Sequence, residues 1–220
     1  MTPEEVTALF TRSEGDYLFA RWGRPIAPVV FGVDDATLAT FKGACEAVVS
    51  LAGHQLTETD PDLGSNLIVF FFENWLELVR VPHLDRLVPD LVRRVGRLQA
   101  AGANQYRFFR FDEDGAIRAA FVFVRMDADL ARVPAESIAL NQMVQTILLW
   151  SDTAFAERSP LARMPGGTLV LRPEIAAVIR AGYDPAMPTV ARDASHALRL
   201  AARIGRTLGQ TLGQTLAQDT

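Results

Sequence analysis

The side chains that come nearest to a catalytic pattern lie in "ESIALNQMVQTILLWSD", Glu136 to Asp152. Asn141 and Gln145 are four residues apart, so a helix projects them from one face, with Gln142 beside them. At this i, i+1, i+4 spacing two imidazoles can grip a zinc ion while a glutamate activates its bound water. Here every such position carries an amide. An amide offers neither an imidazole nitrogen nor a carboxylate charge, and its oxygen is a poor zinc ligand. A buried amide without a partner costs about 1–3 kcal/mol. The expectation is therefore a hydrogen-bonded network of Asn141, Gln142 and Gln145, with Asp152 or Tyr183 as further members.

Other chemistries find less support. The three histidines, His54, His83 and His196, form no i, i+4 pair and have no cysteine beside them. They read as solvated or capping residues, and no metal site is expected from them. The single cysteine, Cys45, lies on an apolar helical face in "FKGACEAVVS" and reads as a buried, inert thiol. The chain lacks the glycine spacing of a dinucleotide turn, a Walker lysine motif and a Gly-x-Ser-x-Gly elbow. Ser137 and Ser151 flank the amide turn without a nearby histidine to act as base. The acids of "TETDPD" and "DEDG" suit a solvated loop and a hairpin turn. No cofactor is expected.

The elements that must position the amide turn follow from periodicity. Residues 3 to 12 suit a short helix with Thr2 as N-cap and Pro3 at the first helical position. "PIAPVVFGV" reads as a strand with an incomplete ladder at Pro28. Asp34 and Asp35 then cap a helix to about Ala52, with Leu38, Phe41, Cys45, Val48 and Val49 at helical spacing. "NLIVFFFE" is apolar throughout, as in a strand buried on both faces. One or two helices punctuated by Pro82 and Pro89 lead to Gly102. "QYRFFRF" and "IRAAFVFVRM" flank "DEDG" as an antiparallel hairpin. "VPAESIALNQMVQTILLW" is expected as one helix, "SPLARMPGG" as a loop, "RPEIAAVIRAGYDPAMP" as a short helix ended by Gly182 and Pro185, and "TVARDASHALRLAARIGRTL" as a last helix with Val190 on its apolar face. The crossover helix makes the first two strands parallel if they share a sheet. The fold class is α+β: a mixed sheet with packed helices and further helices toward the C-terminus.

The 220 residues suit a single domain over 1–205, followed by a flexible or helical tail, 206–220, whose "TLGQTLGQTLAQ" places Leu208, Leu212 and Leu216 in a stripe. The composition, 49% hydrophobic and 22% charged, is that of a globular protein. A net charge of -4 and scattered arginines argue against nucleic acid as a partner. The acidic start "MTPEE" is unlike a signal peptide, and "LIVFFF" and "ILLW" are too short to span a bilayer, so a cytoplasmic location is expected.

Strand, helix, strand, strand, strand and then the helix bearing the amides is the element order of the zincin catalytic subdomain. Over about residues 18 to 188 the chain also resembles a family of uncharacterised bacterial proteins, many of them predicted to be secreted or lipoproteins. The resemblance lies in "LFARWGRPIAPVVFG", "NLIVFFFE", "IRAAFVFVRMD" and "LNQMVQTILLWSDTAF" with "RPEIAAVIRAGYDPAMP". In the last of these the family shows a Glu-x-x-Gln-type helix, a nearby Asp and a downstream Tyr-Asp-Pro. Gln145, Asp152 and Tyr183-Asp184-Pro185 fit; Gln142 stands where an acid is common. The resemblance implies a zincin-like layout with a degenerate metal motif, and leaves a periplasmic location open.

Three functions follow as expectations. The first is a non-catalytic binding or scaffold domain, with Asn141, Gln142, Gln145, Asp152 and Tyr183 as its candidate polar cluster, meeting an unknown protein or small molecule. The second is a peptidase-like hydrolase using Gln145, Asp152 and a distant acid or histidine. The third is a subunit of a larger assembly, joined through the tail. Trp22, Trp75 and Trp150 are expected in the core rather than in a pocket.

Overall fold

The computed structural model describes the backbone of residues 1–218 and the side chains of residues 1–206. Helices run over α1 (Pro3–Phe10), α2 (Asp35–Leu51), α3 (Leu76–Val79), α4 (Leu84–Leu87), α5 (Leu91–Ala100), α6 (Ala135–Ile147), α7 (Pro173–Gly182) and α8 (Ser195–Gln218). Strands run over β1 (Phe19–Ala20), β2 (Pro28–Phe31), β3 (Leu67–Phe72), β4 (Gln105–Phe111), β5 (Ile117–Arg125), β6 (Leu161–Arg163), β7 (Leu169–Leu171) and β8 (Val190–Ala191).

The central sheet has the order β2-β3-β5-β4. β2, β3 and β5 are parallel, and β4 runs antiparallel to β5 at one edge. The period of two along a strand sends alternate side chains to opposite faces. Leu67, Val69, Ala120, Val122 and Val124 pack on one side in the core formed with α1, α2, α6, α7 and α8. Phe72, Ala119, Phe121 and Phe123 pack on the other side under α3, α4 and α5. The fold is thus α+β, with a mixed sheet covered on both faces. Pro28 sits in edge strand β2, where its missing N–H is tolerated. At the end of that strand Gly32 has φ +81°, and a Cβ there would lie 2.0 Å from the Phe71 carbonyl oxygen, so only glycine fits.

Local signals are realised where they were strongest. Thr2 forms a capping box with Glu5, and the Asp34 carboxylate accepts from Thr37 N at the start of α2. Cys45 is buried in α2, its sulfur 3.3 Å from that of Met143 on α6, and burial pushes the thiol up to about 12.

Four expectations need correction. The stretch after β3 forms three short helices, because His83 and Asp90, each following a proline, take positive φ and break the pattern. "SPLARMPGG" contains the hairpin β6–β7, with Gly167 at positive φ in its turn. Val190 belongs to β8, which pairs with β1, and the last helix starts only at Ser195. The fourth is α6, which stops at Ile147: Leu148 is extended and bridges Arg21.

That early stop has a specific cause. The last carbonyls of a helix have no partner inside it. Here ring donors supply them: Trp150 Nε1 donates to Val144 O, Trp22 Nε1 to Thr146 O and the Tyr183 hydroxyl to Ile147 O, at 2.8, 2.9 and 2.8 Å. The Leu149 N–H donates instead to Ala20 O. Trp22, Trp75 and Trp150 are all buried, as expected.

Among the described residues no helix is long and apolar enough to cross a membrane. α8 continues as backbone to Gln218, while the leucine stripe expected of the tail lies outside the residues whose side chains are described.

Candidate functional site

α6 packs along α2 on one face of the sheet and passes beside the antiparallel edge strand β4. From β4, the alternating residues Gln105, Arg107 and Phe109 point to that face. Gln142, one of the few fully buried polar residues, meets them. Arg107 Nη2 donates to Gln142 Oε1 at 2.8 Å and to Gln105 Oε1 at 3.1 Å, and Gln142 Nε2 donates to Gln105 Oε1 at 2.8 Å. The three side chains close a triangle in which a guanidinium is held by neutral amides. Among the described residues Arg107 makes no ion pair, and its Nε is sealed from solvent with no partner. Burial lowers its pKa to about 10, which leaves it cationic at neutral pH.

Asn141 and Gln145 lie one turn apart on the neighbouring face, with Gln145 Nε2 donating to Asn141 Oδ1 at 2.9 Å. They line a cleft of about 660 Å³, together with Arg107, Trp150, Asp152 and Phe155. Asp152 stands at its rim. One oxygen accepts from Ser13 N at 3.0 Å, and the other accepts from the Ser13 hydroxyl. The hydroxyl bond first, then the backbone bond, holds Asp152 below the usual carboxylate range, with Arg12 nearby helping. Ser151 Oγ donates to Thr11 O at 2.6 Å, so this wall is tied to the segment after α1.

Of the five residues expected as one cluster, the fold brings Asn141, Gln145 and Asp152 to the cleft and puts Gln142 beneath it. Tyr183 is elsewhere. It is buried at the C-terminal end of α6, donating to Ile147 O and accepting from Trp22 N at 3.3 Å, and its role is to cap the helix. Burial raises its phenol pKa. Nor do the amides form one network: Gln142 bonds to β4, whereas Asn141 and Gln145 bond to each other. The physical reason is helical rotation, since adjacent positions point about 100° apart. Sequence reasoning missed Arg107 and Arg12. The available signal was the alternation in "QYRFFRF", which places Arg107 on the same side as Phe109, facing in.

No histidine lines this cleft. His54 is half-buried with Nε2 2.8 Å from Arg24 O, and burial lowers its pKa. His196, expected at the surface or as a cap, is buried; it shares a 2.7 Å hydrogen bond with the Tyr17 hydroxyl, and burial, aided by Arg199, lowers its pKa to about 4. Among the described residues no group of three or more His, Cys, Asp or Glu is placed to hold a metal ion. The three amides do not fit zinc either. Asn141 Oδ1 is taken by Gln145, and Gln142 Oε1 by a guanidinium whose positive charge would repel a divalent cation.

A second concavity, about 790 Å³, opens on the opposite face of the sheet. Its walls include Phe31, Leu63, Phe70, Leu87, Phe111 and Phe121, with Arg110 and Arg118 at the margin.

In comparisons with family models, curated proteins and solved structures, nothing matches this chain.

Proposed function

We propose that this chain is a non-catalytic binding domain with a zincin-like layout, and that the cleft between β4 and α6 is its ligand site. The reading rests on the bond between Arg107 and Gln142. At the helix position where a zinc peptidase keeps its general base stands an amide committed to a buried cation. The layout reading draws on the helix that follows β5 and the antiparallel edge strand beside it, with α3, α4 and α5 as an insertion between β3 and β4. The flanking positions, Asn141 and Gln145, offer only amides.

This favours binding over hydrolysis. A general acid or base works best with a pKa near the working pH. The titratable groups lining the cleft are Arg12, Tyr106, Arg107 and Asp152; the Tyr106 hydroxyl accepts from Arg94, and Asp152 is held ionised by Ser13. Assembly through the tail is a separate proposal that light scattering with and without residues 206–220 would test.

The decisive experiment is elemental analysis of the purified chain, paired with a fluorogenic peptide-cleavage assay. The expected result is zinc far below one equivalent and no turnover. Stoichiometric zinc, or cleavage that disappears on Gln142→Ala, would overturn the proposal.

A further inference from the structure

The cleft is electrically unbalanced. Two cations, Arg12 and Arg107, line it against a single acid, Asp152, which accepts from Ser13 and has Arg12 nearby, so Arg107 is left without a counter-charge. This happens on a chain whose net charge is -4. Arg107 meets only neutral acceptors, and stripping a charged group of water without an opposite charge is costly. With Nη2 taken by the two glutamines and Nε sealed, Nη1 is the donor left for a ligand. Across the cleft Asn141 has given its oxygen to Gln145, which leaves its Nδ2 as a second donor. Two fixed donors suit the two oxygens of a planar carboxylate; a phosphate dianion would need more. Beside them Phe109, Trp150 and Phe155 give the cleft an apolar, aromatic wall.

We propose that this cleft binds a small aryl-bearing carboxylate, its charged end on Arg107 Nη1 and Asn141 Nδ2 and its ring against Trp150 and Phe155. The inference rests on the binding-domain reading above and gives it a ligand class. The anion supplies the charge that the fold leaves out, so the guanidinium is held ready before the ligand arrives.

Calorimetric titration of the full chain with 3-phenylpropanoate, its uncharged amide and acetyl-Ala-Ala-Phe tests it. The acid is expected to bind about tenfold or more tighter than the amide. Arg107→Met should remove that preference, weakening the acid by about tenfold more than the amide. Should Arg107→Met fail to fold, as judged by its thermal transition, Asn141→Ala on the cleft surface should weaken the acid by about threefold or more. Binding of the tripeptide as well as the free acid would support a peptide C-terminus as the source of the carboxylate; binding of the free acid alone would support a small molecule. Acid and amide bound alike, or neither of them bound, would overturn the carboxylate proposal and leave the binding-domain reading standing. Stoichiometric zinc or peptide cleavage would instead strike at the underlying reading.

Discussion

The two faces of the sheet carry concavities of similar size and opposite character. The one beside α6 places a cation among amides, and its polar groups are fixed by one another. The one under α3 and α4 is walled by aromatic and aliphatic side chains, among them Phe31 at 48% and Phe111 at 41% exposure. Volume alone does not separate them. What separates them is where the charge sits: the polar cleft holds a largely buried guanidinium without a counter-charge, whereas at the margin of the apolar groove Arg118 pairs with Asp62 at 3.4 Å and Arg110 is exposed to water. Directional demand selects a ligand, while apolar surface alone selects only against water.

The comparison can be broken most directly at Gln142. Gln142→Leu should cost about 3 kcal/mol in urea unfolding, because it leaves a buried guanidinium without its best acceptor. A loss below about 1 kcal/mol would mean that the triangle carries no more weight than a surface contact.

A buried titratable group outside both concavities gives the next effect. His196 has its pKa lowered from 6.5 to about 4. Above the unfolded value both states are neutral, so nothing is gained or lost. As pH falls below it, the unfolded chain takes up a proton that the folded chain refuses, and stability drops until the folded value is reached. From neutral pH to about 4.5 the expected loss is about 2 kcal/mol, visible as a falling urea midpoint that flattens in His196→Gln. A profile identical in wild type and variant would assign the acid sensitivity to other groups.

Gln142→Glu sharpens the contrast by supplying the missing charge internally. It should stabilise by about 1 kcal/mol above the carboxylate's titration range, and that gain should vanish as the acid is protonated. It should also abolish binding of 3-phenylpropanoate, since the counter-charge is then built in. Retained binding would show that Arg107 is not the anchor. The smallest effect belongs to the groove: Phe111→Ser should change stability by less than about 1 kcal/mol, because much of that ring is already in water.

How much of this was legible in the sequence depends on how local each signal is. The Thr2 cap, the Asp34 cap, strand β3 and the β4–β5 hairpin depend on neighbours a few residues apart, and the structure has all four, although β3 is only partly buried on the face where Ile68 and Phe70 line the groove. The end of α6 was not, because the groups that satisfy its carbonyls include Trp22 and Tyr183, far away in the chain. The β1–β8 pair joins Phe19 to Ala191 and has no local signature. For the site, the i, i+4 spacing places Asn141 and Gln145 on one helix face, where Gln145 donates to Asn141. It could not tell that Gln142 turns beneath them to meet Arg107, since that depends on which strand lies alongside.

The bonds from Asp152 to Ser13 and from Ser151 to Thr11 span nearly two thirds of the chain. Closing so long a loop carries a large entropy cost before any contact repays it, so these contacts belong among the slowest to form. The hairpin and α6 can assemble while the far wall is still open. On a growing chain the cleft is therefore completed only after β4 and α6 are in place, and the acid proposed as its ligand would then act as a latch on the final closure.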